Sequence, residues 1–279
     1  MTPERANAAR ELLAFYLEAG VDALVGEEPI DRLSAAQVSA AQVESPAIAA
    51  PEGRRAPPEL RPAPPRSAPD TAPAAPEIAV MAAREAARNA ASLLALREIL
   101  SGFEGCALRT TAKQLVFADG NPQGRVMFVG EAPGREEDLE GLPFVGRSGK
   151  LLDLMLAAIG LDRTSVYIAN IVPWRPPGNR TPTPQESAIC LPFTLRQIEL
   201  VDPDVLVCLG NPSSQTLLAT KEGITKSRGR WFPFHTGRRD IRAMPTYHPA
   251  FLLRSPLQKR LAWRDFLAIK KELAKPSER

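Results

Sequence analysis

Four short apolar runs, separated by stretches of helical periodicity, leave this chain few folds to choose from. Arg125–Val129 (RVMFV) reads as a buried strand, and Val166–Ile171 (VYIANI), Asp204–Leu209 (DVLVCL) and Ile241–Tyr247 repeat the pattern. Helical patterns follow at about Gly149–Ile159, Gln185–Val201 and Leu257–Leu273, and Asn211 with Pro212 offers an N-cap and first-turn proline for one more. Strands alternating with helices predict an α/β fold of three layers, αβα, around a central four-stranded parallel sheet. In such sheets ligands bind at the carboxyl ends of the strands. The unusual residues of this sequence cluster there.

The rest of the chain is built differently. Ten of its 28 prolines fall between Pro46 and Pro76, in a stretch of Pro, Ala, Arg and Ser with hardly a large apolar side chain, which cannot recover its ordering entropy. The expected organisation is an N-terminal helical segment over 1–44, a flexible linker over 45–77 and a folded domain over 78–279 led by a helix at 79–100. In the first segment Leu12, Leu13, Phe15, Tyr16, Leu17, Val21 and Leu24 recur at roughly helical spacing; in the leading helix Leu94, Leu96, Ile99 and Leu100 look core-facing. Glu4 and Glu11, with no apolar run beside them, argue against a signal peptide. No stretch approaches the roughly 18 apolar residues of a membrane helix. Three scattered cysteines rule out a disulfide scaffold. These features predict a cytoplasmic protein with no membrane partner. The net charge of +3 hides a late segment, Lys221 to Arg264, with eleven basic residues against Glu222 and Asp240, a net +9 that suits a polyanion such as nucleic acid.

After the first strand comes Gly130-Glu131-Ala132-Pro133-Gly134, and shortly beyond it Gly141-Leu142-Pro143-Phe144-Val145-Gly146. This is neither a dinucleotide GxGxxG nor a Walker motif. Asn170 ends the second strand, with Arg175-Pro176-Pro177-Gly178-Asn179-Arg180 after it, and His248-Pro249-Ala250-Phe251-Leu252-Leu253-Arg254 follows the fourth. In this order GEAPG, GLPFVG, N-x8-N-R and HPAFLLR resemble the uracil-DNA glycosylase superfamily, and within it the family 4 enzymes of bacteria and archaea, from about Cys106 to Leu273. The resemblance implies a monofunctional base-excision-repair enzyme that flips uracil out of nucleoid DNA and hydrolyses its N-glycosidic bond, leaving an abasic site.

A base must leave the duplex stack before a pocket can read it. By the resemblance, Phe144 is the stacking platform and Asn170 the reader, its amide accepting from uracil N3 and donating to O4, a pattern that cytosine reverses. Gly130 and Ala132 line the same pocket. His248 would donate to uracil O2 as negative charge develops there; the other histidine, His235, sits in a turn with no motif around it. Glu131 would position water or steady the cationic sugar, helped by Asn179, because the related family's Asp one position later is Ala132 here. Glu137 would border C5 of the base and exclude thymine, while Glu136 and Asp138 read as solvated surface. Leu252, Leu253 and Arg254 would fill the gap the base leaves. Ser148, Gly149 and Lys150, at a helix start, suit a phosphate, as does Arg180, and Lys226, Arg228 and Arg230 form a second phosphate site.

Family 4 enzymes carry four cysteines around a structural iron-sulfur cluster. Cys106 and Cys190 keep two of those positions, and Phe103 and Trp174 occupy the others. Two thiolates cannot hold the cluster in the usual way. The expectation is therefore no cofactor and no metal, with the two rings filling the space and Cys208 a buried free thiol in its strand. Asn179 stands where some superfamily members trap the abasic product through a histidine, so no covalent trap is expected, while tight noncovalent product retention stays open. The expected partners are single- and double-stranded DNA containing uracil. Two further readings stay open as well: a uracil- or abasic-site-binding module that recruits partners through its N-terminal segment, and a glycosylase for another deaminated base.

Overall fold

The computed structural model describes residues 76–277. The N-terminal helical pattern and nearly all of the linker lie outside the described residues. Two helices, α1 (Pro76–Arg88) and α2 (Leu93–Gly102), lead into α3 (Leu108–Thr111), β1 (Asp119–Gly120), β2 (Val126–Gly130), α4 (Arg135–Glu140), α5 (Arg147–Ala158) and β3 (Tyr167–Asn170). Then follow α6 (Pro184–Val201), β4 (Val205–Leu209), α7 (Asn211–Leu218), α8 (Ile224–Ser227), β5 (Phe232–His235), β6 (Asp240–Thr246), α9 (Pro249–Arg254) and α10 (Lys259–Leu273).

The sheet runs β1-β3-β2-β4-β6-β5. Its four central strands are parallel, as the apolar runs predict. It is wider than predicted, because β1 and β5 add antiparallel edges to β3 and β6. Two residues of β1, and Pro233 within β5, present no apolar run to detect; an edge is where a strand tolerates proline. Successive residues of each central strand face opposite layers. Met127, Val129, Leu206 and Cys208 pack with α1, α2 and α6, whereas Val126, Phe128, Val205 and Val207 pack with α5 and α10. Burial on both faces is what makes these strands read as continuous apolar runs.

The leading helix divides in two. Ser92 Oγ accepts the Ala95 amide at 3.2 Å and caps a fresh helix. On α2, Leu96 and Leu100 are buried, but Leu94 is 67% exposed, since two residues of helix turn it to the far side. Gly210, not Asn211, occupies the cap of α7; Asn211 lies within the first turn and its Oδ1 accepts the Ile224 amide at 2.9 Å. The basic segment does not form one surface either. Arg239 pairs with Asp202 and Asp204, Arg242 with Glu272, and Arg230 with Glu222. Among the described residues no helix is long and apolar enough to cross a membrane.

The predicted phosphate ligand Arg228 is instead an internal clamp. Its Nε donates to Asp265 Oδ2 at 2.9 Å and its guanidinium lies over the Tyr247 ring. The same carboxylate accepts the Thr246 hydroxyl at 2.7 Å, so α10 grips the end of β6 just before His248. Asp265→Ala leaves that guanidinium without its carboxylate and should lower the unfolding free energy in urea by about 3–5 kcal/mol, and a loss under about 1 kcal/mol would show the clamp to be slack.

Candidate active site

The carboxyl ends of β2, β3 and β6 converge on a cavity of about 220 Å³. That is smaller than the roughly 300–1,000 Å³ of sites for drug-sized ligands and suits a single ring. Glu131, Ala132, Glu137, Phe144, Ser148, Asn170, Asn179, Arg180 and His248, all singled out from sequence, line it.

The floor follows from strand register. Gly130 pairs with Asn170 across β2 and β3, and a Cβ at position 130 would run into Asn170 Oδ1 and come within 2.6 Å of Phe144 Cζ. Only glycine lets the amide and the ring approach so closely. Asn170 is buried, and its Oδ1 has no protein partner. An unmet buried acceptor costs about 1–3 kcal/mol, which a donating ligand recovers. Phe144 is buried opposite it, at φ 55°, a left-handed conformation that costs a non-glycine residue about 1–3 kcal/mol. Its ring centre lies 5.4 Å from that of His248.

His248 caps α9, and its Nδ1 accepts the Ala250 amide at 3.1 Å. The neutral ring therefore carries its proton on Nε2. Burial, reinforced by Arg254 and opposed by Glu137, pushes its pKa down to about 4, so the imidazole is a neutral donor at pH 7. Glu131 is half-buried, its Oε1 is unpartnered, and burial holds its pKa above the ordinary carboxylate value. At the exposed rim Asn179, which lines the cavity, accepts Arg175 Nε on its Oδ1 at 2.6 Å. Arg180 is engaged there by Glu186 at 2.8 and 2.6 Å.

Other predicted roles change. Glu137 spends its carboxylate on the amides of Gly134 (3.0 Å), Val145 and Gly146 (both 3.1 Å), so it joins the two motif loops rather than offering oxygens to C5 of a base. Asp138 is not solvated. It is buried and accepts the Lys113 amide at 2.7 Å, with Arg175 at 3.7 Å. Gly149 is a packing glycine, because a Cβ there would strike the Phe144 carbonyl; Lys150 beside it is exposed. Leu252 is 1% exposed against Tyr247 and Ala262, too deep to enter DNA, while Leu253 is half-buried and Arg254 exposed. Leu257, which the sequence pattern puts at the start of the last helix, instead stands 85% exposed in the short turn Pro256–Gln258. Only the proline before it hinted at a turn. His235 ends β5, exposed and outside the cavity lining, and pairs with Asp240 across to β6.

The positions that correspond to the cluster ligands of family 4 enzymes form an apolar patch. Cys106 and Cys190 lie 3.8 Å apart, in one core cluster with Phe103, Trp174 and Phe193. Phe103 meets Phe193 edge-on at 5.0 Å. Two thiols and two rings do not fit a cluster held by four thiolates. Cys208 is fully buried, which pushes its thiol up to about 12.

The sequence profile of the Uracil DNA glycosylase superfamily matches residues 117–267, from before β1 into α10. The chain belongs to this superfamily. A type-4 uracil-DNA glycosylase of Thermotoga maritima is 46% identical over 151 residues, which cover 54% of this chain and 77% of that one. Those of Archaeoglobus fulgidus and Sulfurisphaera tokodaii are 40% and 39% identical, with 62% and 66% of this chain and 89% and 85% of theirs covered. The site of this superfamily member predicts a sharp intolerance at position 130. Gly130→Ala, which displaces Asn170 or Phe144, should cut uracil release at least about 10²-fold, since displacements near 1 Å cost that much; activity near wild type would mean that the two side chains need not approach.

Proposed function

We propose that this chain is a uracil-DNA glycosylase of the type-4 kind, which extrudes uracil from DNA and hydrolyses its N-glycosidic bond as the opening step of base excision repair. The observation that carries this reading is Asn170 Oδ1, a buried acceptor without a partner, set by β3 beside a buried ring in a cavity sized for one base. Uracil on Phe144 gives its N3–H to that oxygen and accepts at O4 from the amide nitrogen. Cytosine, with an acceptor at N3 and donors at N4, leaves the same groups mismatched.

As the C1′–N1 bond breaks, electrons move onto the base and O2 becomes negative. The Nε2–H of His248 meets that charge with a donor already in place. Glu131 positions the water that attacks C1′ and steadies the cationic sugar, with the Asn179 amide beside it. An amide is no nucleophile, so abasic DNA leaves without a covalent adduct. Single- and double-stranded DNA both serve as substrates. In duplexes Leu257, in place of the buried Leu252, fills the gap together with Leu253 and Arg254, and Ser148, Lys150 and Lys226 hold phosphates. We also propose that the chain works in the cytoplasm on nucleoid DNA without metal or cofactor, Phe103 and Trp174 replacing the cluster by apolar packing. Bound iron with visible absorbance in the purified protein would refute the cofactor reading.

A labelled uracil oligonucleotide cleaved by alkali after incubation tests the activity. Scission should be efficient for the wild type and about 10²–10³-fold slower for His248→Ala; binding without scission at saturating protein would make the chain a uracil-binding module instead. The pH profile is a second test. Glu131 must be ionised and has a raised pKa, whereas His248 is already neutral well below pH 7. The rate should rise with pH through one ionisation and stay level through neutrality. A second break near the ordinary histidine value of about 6.5 would contradict a neutral donor.

A further inference from the structure

We propose that Arg163, which lies in none of the motifs, is the positioning residue that holds the Phe144 ring in the cavity; this rests on the reading of Phe144 as the platform for the base. Arg163 sits between α5 and β3, 19 residues beyond Phe144. Its Nη1 donates to the Pro143 carbonyl at 3.1 Å and its Nη2 donates to the Phe144 carbonyl. Two carboxylates orient the guanidinium for this: Asp119 of β1 accepts from Nη1 at 2.6 Å, and Asp153 of α5 accepts from Nε at 2.7 Å. The guanidinium thus ties an edge strand and a helix to two consecutive carbonyls of the GLPFVG loop.

Phe144 needs such a hold because its φ is 55°. In that conformation the carbonyl faces Arg163 while the ring faces Gly130, Asn170 and His248. Gly149 approaches the same carbonyl so closely that a Cβ there would strike it. Released from Arg163, a phenylalanine relaxes to negative φ and swings its ring off the base. Lysine cannot replace the arginine, since a single ammonium on a flexible stem cannot match a planar fork that serves two carbonyls and two carboxylates at once.

A double-mutant cycle on uracil release separates positioning from general bracing. Arg163→Lys should lower kcat/KM by about 10²-fold, yet add less than about twofold in a Phe144→Ala background, beyond the scatter of independent sites. Asp153→Asn, which loosens Arg163 without touching Phe144, should give a smaller loss that also vanishes in that background. A full loss on top of Phe144→Ala would overturn the proposal, because Arg163 would then act on the fold as a whole. A crystal structure of Arg163→Lys supplies a readout independent of catalysis: Phe144 at negative φ with its ring displaced is the expected result, and an undisturbed ring refutes the proposal even if the chain released no uracil.

Discussion

Because β2, β3, β4 and β6 are hydrogen-bonded in parallel, their carboxyl ends emerge on one side of the sheet, and the residues that close these strands share one space. The pairing of Gly130 with Asn170 is the central instance. It fixes the Asn170 amide against a position with no side chain, which leaves the space that the Phe144 ring also approaches. His248, two residues beyond the end of β6, reaches the same space because Asp265 and Arg228 clamp Thr246 and Tyr247 to α10 and α8. Were the register of β2 and β3 shifted by one residue, every side chain would change face and the cavity would lose the Asn170 amide from its lining.

Burial then decides the chemistry of the polar groups. The same low-polarity surroundings keep His248 neutral, raise the pKa of Glu131 and leave one oxygen of Asn170 without a partner. Each condition costs stability in the empty protein, and Phe144 adds backbone strain. A ligand that meets the unsatisfied groups recovers part of that cost, which is the usual trade between stability and function at a site. Backbone does most of the holding. The Ala250 amide sets the histidine tautomer, and three backbone amides fasten Glu137, whose carboxylate thereby joins the GEAPG and GLPFVG loops.

The central strands could be read from sequence because burial on both faces writes itself as an unbroken apolar run. The edges β1 and β5 could not, since two residues and a proline-bearing strand leave no such trace. The cavity residues Glu131, Phe144, Asn170 and His248 were readable because each lies in a short motif, three of them beside a strand end and Phe144 in the GLPFVG loop between α4 and α5. Residues whose role depends on which way a helix faces escaped. Leu252 and Leu257 are equally apolar in sequence, yet one lies on the buried face of α9 and the other stands out of a turn. Arg228 and Arg163 look like two more members of a basic chain until their carboxylates, 37 and 44 residues away, come into contact.

The account turns on how a pyrimidine sits in this cavity, and a crystal structure of the protein soaked with free uracil tests that most directly. The predicted result places the ring over Phe144, with N3 and O4 on the Asn170 amide and O2 on His248 Nε2. Uracil bound elsewhere, or seated with its N3 edge away from Asn170, would contradict it.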